Sequence, residues 1–149
     1  METEALAGIM GLQGCERFVQ HRKRYKPQKV WNYLVETGIS YTYCQAPDFP
    51  RKFVEIPDPP FGIFYKGRLP DEKIPAVAII GARKCSEYGR HMAEKFAEGF
   101  AERGVEVISG MAMGIDGISQ AAALKAGGSS YAVLGCGVDI IYPKSNEKL

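Results

Sequence analysis

Residues 76–89 read "AVAIIGARKCSEYG", and the fold turns on them. "AVAIIG" is a continuous apolar run, the pattern of a parallel strand buried on both faces. At Gly81 it breaks into Ala82, Arg83 and Lys84. There follows "SEYGRHMAEKFAEGFAERG", in which Met92, Phe96 and Phe100 recur every fourth residue until Gly104. That spacing predicts an amphipathic helix with a C-terminal glycine. The same alternation then continues with "VEVIS", "GIDGISQAAALKAGG" and "SYAVLG". The sum is βαβαβ, with crossovers long enough to lay their helices on the sheet. The expected class is therefore α/β, a Rossmann-like open parallel sheet that reads as incomplete because the chain stops soon after the third strand. A three-strand sheet leaves an edge and an apolar face open, so association, including with a second copy, is expected of it.

Upstream, residues 46–75 hold seven prolines. Proline cannot donate to a ladder, so this stretch reads as extended or turning chain interrupted by one short edge strand, "GIFYKG". Phe49, Phe53, Phe61, Phe64 and Tyr65 need a surface to pack on, which makes it an ordered connector. Residues 1–45 read as a small helical N-terminal appendage. In "KPQKVWNYLVETG" Pro27 suits a first helical turn, Val30, Trp31 and Leu34 share a face, and Gly38 marks a stop. The division expected is 1–45 for the appendage and 46–149 for the sheet domain.

The chain has 149 residues, 46% hydrophobic and 24% charged, with a formal net charge of +2. That is an ordinary globular composition and too little charge for a general polyanion binder. The one basic cluster, residues 17–29, holds Arg17, Arg22, Lys23, Arg24, Lys26 and Lys29 without an acid. It reads either as a phosphate-contacting face or as a solvated helix and turn. Cys15, Cys44, Cys85 and Cys136 are too scattered for a zinc pattern and suggest a reducing, cytoplasmic compartment. No apolar run reaches the about 20 residues that span a bilayer, and the acidic start is unlike a secretory leader.

Three glycine-rich loops should meet at the carboxyl edge of the strands: "GARKCS" at 81–86, "SGMAMGID" at 109–116 and "GCGVD" at 135–139. Glycines admit close backbone approach, and two of these loops open helices whose dipoles favour anions, so a phosphate site is the simplest reading. Arg83 adds a guanidinium fork suited to phosphate, or pairs with Asp116 to brace the loop. Ser86 and Ser109 add hydroxyl donors. The dinucleotide fingerprint G-x-G-x-x-G, its ribose-binding acid and the P-loop are all missing. His21 and His91 lie outside these loops, the loop cysteines have no base beside them, and Asp116 reads as a helix-start residue. No catalytic constellation, metal site or cofactor is expected.

The motifs "FP", "IPDPPFGIFYKG", "AIIGARKCSEYG", "GVEVISGMAMGIDG", "AALKAGGSSYAVLGCGVD" and "YPKSNEKL", in this order, resemble the DNA-processing protein A family, also called DprA or Smf, over residues 46–149. The resemblance implies a non-enzymatic protein that binds single-stranded DNA and helps load a RecA-type recombinase in natural transformation. It implies a basic DNA-binding pocket lined by Arg83 of G-[SA]-R and by Ser109, Gly110, Gly114 and Asp116 of S-G-x-A-x-G-I-D, with Lys144 after Y-P similar to the family's DNA-contacting lysine. Tyr142 offers a face on which a base can stack, or else packs as part of a rigid turn. The family's histidine after G-I-D-x-x is replaced here by Gln120, following Ser119. Surfaces for a homodimer and for the recombinase would lie largely beyond Leu149. Two other readings stand beside this one. Nucleotide phosphoribohydrolases of the LOG or lysine-decarboxylase-like type share the Rossmann arrangement, but their P-G-G-x-G-T-x-x-E motif has no counterpart in "SGMAMGIDGIS". A truncated, non-binding remnant is the other.

Overall fold

A computed structural model describes residues 2–149 of the chain. It separates into two compact units, Met1–Thr37 and Gly38–Leu149.

The first unit is helical. Helix α1 (Glu2–Arg24) breaks at Gly11, whose φ of 73° and ψ of 166° are not helical. It ends in His21, Arg22, Lys23 and Arg24, cations that suit the negative end of the helix dipole. Helix α2 (Pro27–Glu36) starts on its proline and none of its residues is buried.

In the second unit the chain is extended earlier than its sequence suggests. Strand β1 (Ser40–Tyr43), inside the stretch expected to be helical, pairs antiparallel with β2 (Gly62–Tyr65) in a separate two-stranded sheet. The local pattern explains the difference, because Tyr41, Thr42 and Tyr43 favour strands and Thr42 is buried between two exposed tyrosines. "GIFYKG" thus forms its strand away from the parallel sheet.

The parallel sheet comprises β3 (Ala76–Ala78), β4 (Glu106–Ser109) and β5 (Ser130–Ala132), in that order, connected by α3 (Glu87–Ala101) and α4 (Ile115–Lys125). This is the α/β class read from the sequence. The roles of the strands are redistributed, however. The buried central strand is β4, with Val107 fully inaccessible, while β3 is an edge and Ile80 just beyond it is 75% exposed. "AVAIIG" is therefore not buried on both faces: Val77 and Ile79 pack against the core, while Ala76, Ala78 and Ile80 on the other face are exposed.

Val107, Ala97, Ala101, Ala122 and Ala123 form one core cluster, so both helices pack on the same face of the sheet. The buried face of α3 is Ala93, Ala97 and Ala101, one residue on from the expected Met92–Phe96–Phe100 stripe, and Phe96 is exposed. Alanines let the helix approach β4 closely, and the larger rings flank the contact.

On the opposite face, Glu106 is buried, and Tyr131 donates to its Oε1 at 3.3 Å while Arg68 stands 3.8 Å away. Arg68 also donates to Ser129 Oγ at 2.6 Å. These bonds tie the connector to the sheet. Burial, and then the Glu106 carboxylate, push the Tyr131 phenol above its usual pKa and keep it a donor.

Candidate functional site

The loops after β3 and β4 lie side by side at the carboxyl edge. Gly114, at φ 80°, brings them together: a Cβ there would stand 2.2 Å from the Ala82 carbonyl oxygen and 2.5 Å from that of Arg83. Ile115 N–H donates to the Ala82 carbonyl at 3.3 Å, and Gly81 leaves room for the Ile115 side chain. Only glycine permits this backbone-on-backbone approach.

The second loop, 110–114, is closed upon itself. Gly110 N–H donates to Asp116 Oδ2 at 3.1 Å and Met111 N–H to Gln120 Oε1 at 3.0 Å. Gln120 is buried, and its amide also donates to Ser130 Oγ and the Tyr131 carbonyl, at 3.2 and 3.1 Å. From the other side Asn146 donates to the Met111 and Ala112 carbonyls at 2.9 and 3.1 Å. Met111 takes a positive φ of 55°, a conformation these bonds hold in place.

The first loop is the opposite. Among the described residues, no backbone N–H from Gly81 to Cys85 donates to a protein acceptor. Arg83 and Lys84 are exposed, and neither has an ion-pair or hydrogen-bond partner there. Arg83 does not brace Asp116, whose carboxylate is taken by Gly110. A groove of about 600 Å³ opens beside this loop, lined by Arg83, Lys84 and Cys85, by residues of α3 and α4, and by Asn146.

The residues singled out by sequence therefore take different places. Arg83 stands free at the edge. Lys144 is exposed and opens a short 3₁₀ turn, Lys144–Asn146, anchored to the second loop through Asn146. Tyr142 is exposed just before it, joined by a cis peptide to the buried Pro143. Ser86 caps α3, its Oγ accepting from Gly89 N–H at 3.1 Å, which leaves its hydroxyl hydrogen available. Ser109 is not a donor at the surface, because it is buried and gives its hydrogen to the Ile79 carbonyl at 2.6 Å. Gly110, Gly114 and Asp116 shape the second loop and turn their bonding capacity inward.

The helix ends are likewise claimed from within. Ser86 and Glu87 sit at the start of α3, and Asp116 lies in the first turn of α4, whose Gly117 N–H donates to the Ala112 carbonyl. The groups at this edge with bonding capacity left over are thus Arg83, Lys84, Lys144 and the amides of the first loop. Sequence reasoning gave no structural role to Gln120 or Asn146. Gln120 follows Asp116 by one helical turn and so shares its face, which was the available signal.

Among the described residues no group of three or more His, Cys, Asp or Glu could hold a metal ion, and the four cysteines form no disulfide with one another. Among the described residues no helix is long and apolar enough to cross a membrane.

Comparison with known proteins agrees with this architecture. The family described as DNA recombination-mediator protein A matches residues 40–149. The DNA processing protein DprA of Streptococcus pneumoniae is 44% identical in an alignment covering all of this chain and 53% of that protein. Its X-ray structure superposes with a TM-score of 0.82 and 32% identity, covering 98% of this chain and 50% of that one. A Helicobacter pylori DNA processing protein A, from a structural study of its single-stranded DNA binding mode, matches with a TM-score of 0.60 and 31% identity over 73% of this chain and 49% of that one. The chain spans about half the length of each of these relatives. It belongs to the DNA recombination-mediator protein A family, the DprA/Smf proteins.

Proposed function

We propose that the unit from Gly38 to Leu149 binds single-stranded DNA at the carboxyl edge of its parallel sheet. The observation that carries this reading is the first loop, where Arg83 and Lys84 stand unpartnered over open backbone amides. Phosphate oxygens fit both the guanidinium fork and the amides. Lys144 supplies a third cation, the Ser86 hydroxyl a further donor, and Tyr142 a face for an unstacked base. Ser109, Gly110, Gly114 and Asp116 support the site by fixing the second loop. The role is binding without catalysis in the cytoplasm, and the family places the chain with DNA-processing proteins, away from phosphoribohydrolases. Protection of DNA and loading of a RecA-type recombinase in natural transformation, with homodimer formation, belong to this proposal as activities of the whole assembly.

Anisotropy of a labelled oligothymidylate tests it. Three phosphate contacts predict a log–log salt slope of about −2, since each contributes about −0.7 on single strands. Arg83→Ala should weaken binding roughly ten- to 150-fold, the loss of one charge-assisted hydrogen bond of about 1.5–3 kcal/mol. Equal affinity of the variant would remove Arg83 from the site, and no binding by the folded chain would defeat the reading. The same titration with a RecA-type recombinase, read by sedimentation, tests the partner and the dimer.

A further inference from the structure

The groove beside Arg83 changes sign along its length. Arg90, Glu94 and Glu98 are four residues apart on α3 and all line it, so they stand on one helix face with a rise of about 6 Å between neighbours. Arg83, Lys84 and Arg90 contribute its cations next to the first loop, Arg90 standing 3.9 Å from Glu87 Oε1 as well. Farther along α3 the lining holds Glu94 and Glu98, and α4 contributes one cation to it, Lys125. Neither carboxylate has a hydrogen-bond or ion-pair partner among the described residues.

A polyanion drawn in by the cations next to the first loop would meet these carboxylates within about 12 Å of Arg90, and the Debye length at physiological salt is about 8 Å, so a phosphate moving along α3 soon feels them. Lys144 lies outside this lining, in the 3₁₀ turn whose Asn146 is bonded to the second loop. We propose that Glu94 and Glu98 end the phosphate track, so that a single strand held at Arg83 leaves over the loop edge and does not continue between α3 and α4. The inference rests on the single-strand reading above and adds the strand's path to it. The two glutamates are then specificity-determining residues that limit how many nucleotides the site covers.

The experiment titrates the full chain with oligothymidylates of about 4 to 16 nucleotides, the range of site sizes that single-strand grooves cover. Wild type should stop gaining affinity once the edge is filled. Glu94→Lys/Glu98→Lys should go on gaining with length, about tenfold or more for the longest strand, while the shortest changes little. Its salt slope for the longest strand should steepen by about 1.4, for two added contacts. Glu94→Gln/Glu98→Gln, which preserves side-chain shape, should show a smaller gain of the same kind and guards against misfolding of the first variant. Glu55→Lys/Asp58→Lys, away from the groove lining, reports the effect of net charge alone. A gain equal at every length, or equal to that control, overturns the boundary, as does no gain in either groove variant, while Arg83→Ala still weakening wild type would leave the DNA reading standing. Absence of binding by folded wild type at every length overturns that reading and the boundary with it.

Discussion

The loops after β3 and β4 are both glycine-rich, yet they are used in opposite ways. In 81–86 the amides and cations face outward without protein partners; in 110–114 the polar groups are absorbed by Asp116, Gln120 and Asn146. On the proposed reading one loop would hold the ligand, while the other holds the first loop. Glycine content alone does not distinguish a binding loop from a scaffold. The disposition of the backbone N–H groups does.

The contrast can be broken most sharply at Gly114, where the loops touch. Gly114→Ala adds both a strained φ and an overlap with the Ala82 and Arg83 carbonyls, for about 2–4 kcal/mol of lost stability. Urea denaturation should show the drop, with oligonucleotide affinity falling alongside it; an unchanged midpoint would mean that the loops are free to part. Next comes Gln120→Met, similar in shape but unable to accept from Met111 N–H. It should lower stability by about 1–3 kcal/mol and loosen the site secondarily. Retained stability would show that the amide bridge is dispensable. The smallest effect belongs to the open loop. Lys84→Ala should change stability by no more than about 0.5 kcal/mol while weakening binding about two- to fivefold, as an exposed ionic contact does. A large loss of stability there would erase the distinction between the loops.

Much of this was legible in the chain itself. The alternation of apolar runs, helical spacing and closing glycines specified βαβαβ, and the residues after Gly81 pointed to the cationic loop. What escaped depended on partners distant in sequence. "VEVIS" carries a glutamate, yet it is the central strand, and its Glu106 is buried beside Arg68 and Tyr131, which are distant in sequence. The buried stripe of α3 fell on alanines because close approach to β4 favours small residues over large apolar ones. Ser109 looked like a surface donor until Ile79 came within reach of its hydroxyl. Asn146 gave no local sign that it would grip a loop 34 and 35 residues earlier.

That grip bears on the order of events during synthesis. Helix α4 and the bonds from Asp116 and Gln120 can form as soon as their own stretch of chain is available. The Met111 carbonyl, and the second bond to that of Ala112, must wait for Asn146, so the scaffold of the edge is sealed from its far side only after β5 and the turn behind it have been made, and Lys144 takes its place in that same late step.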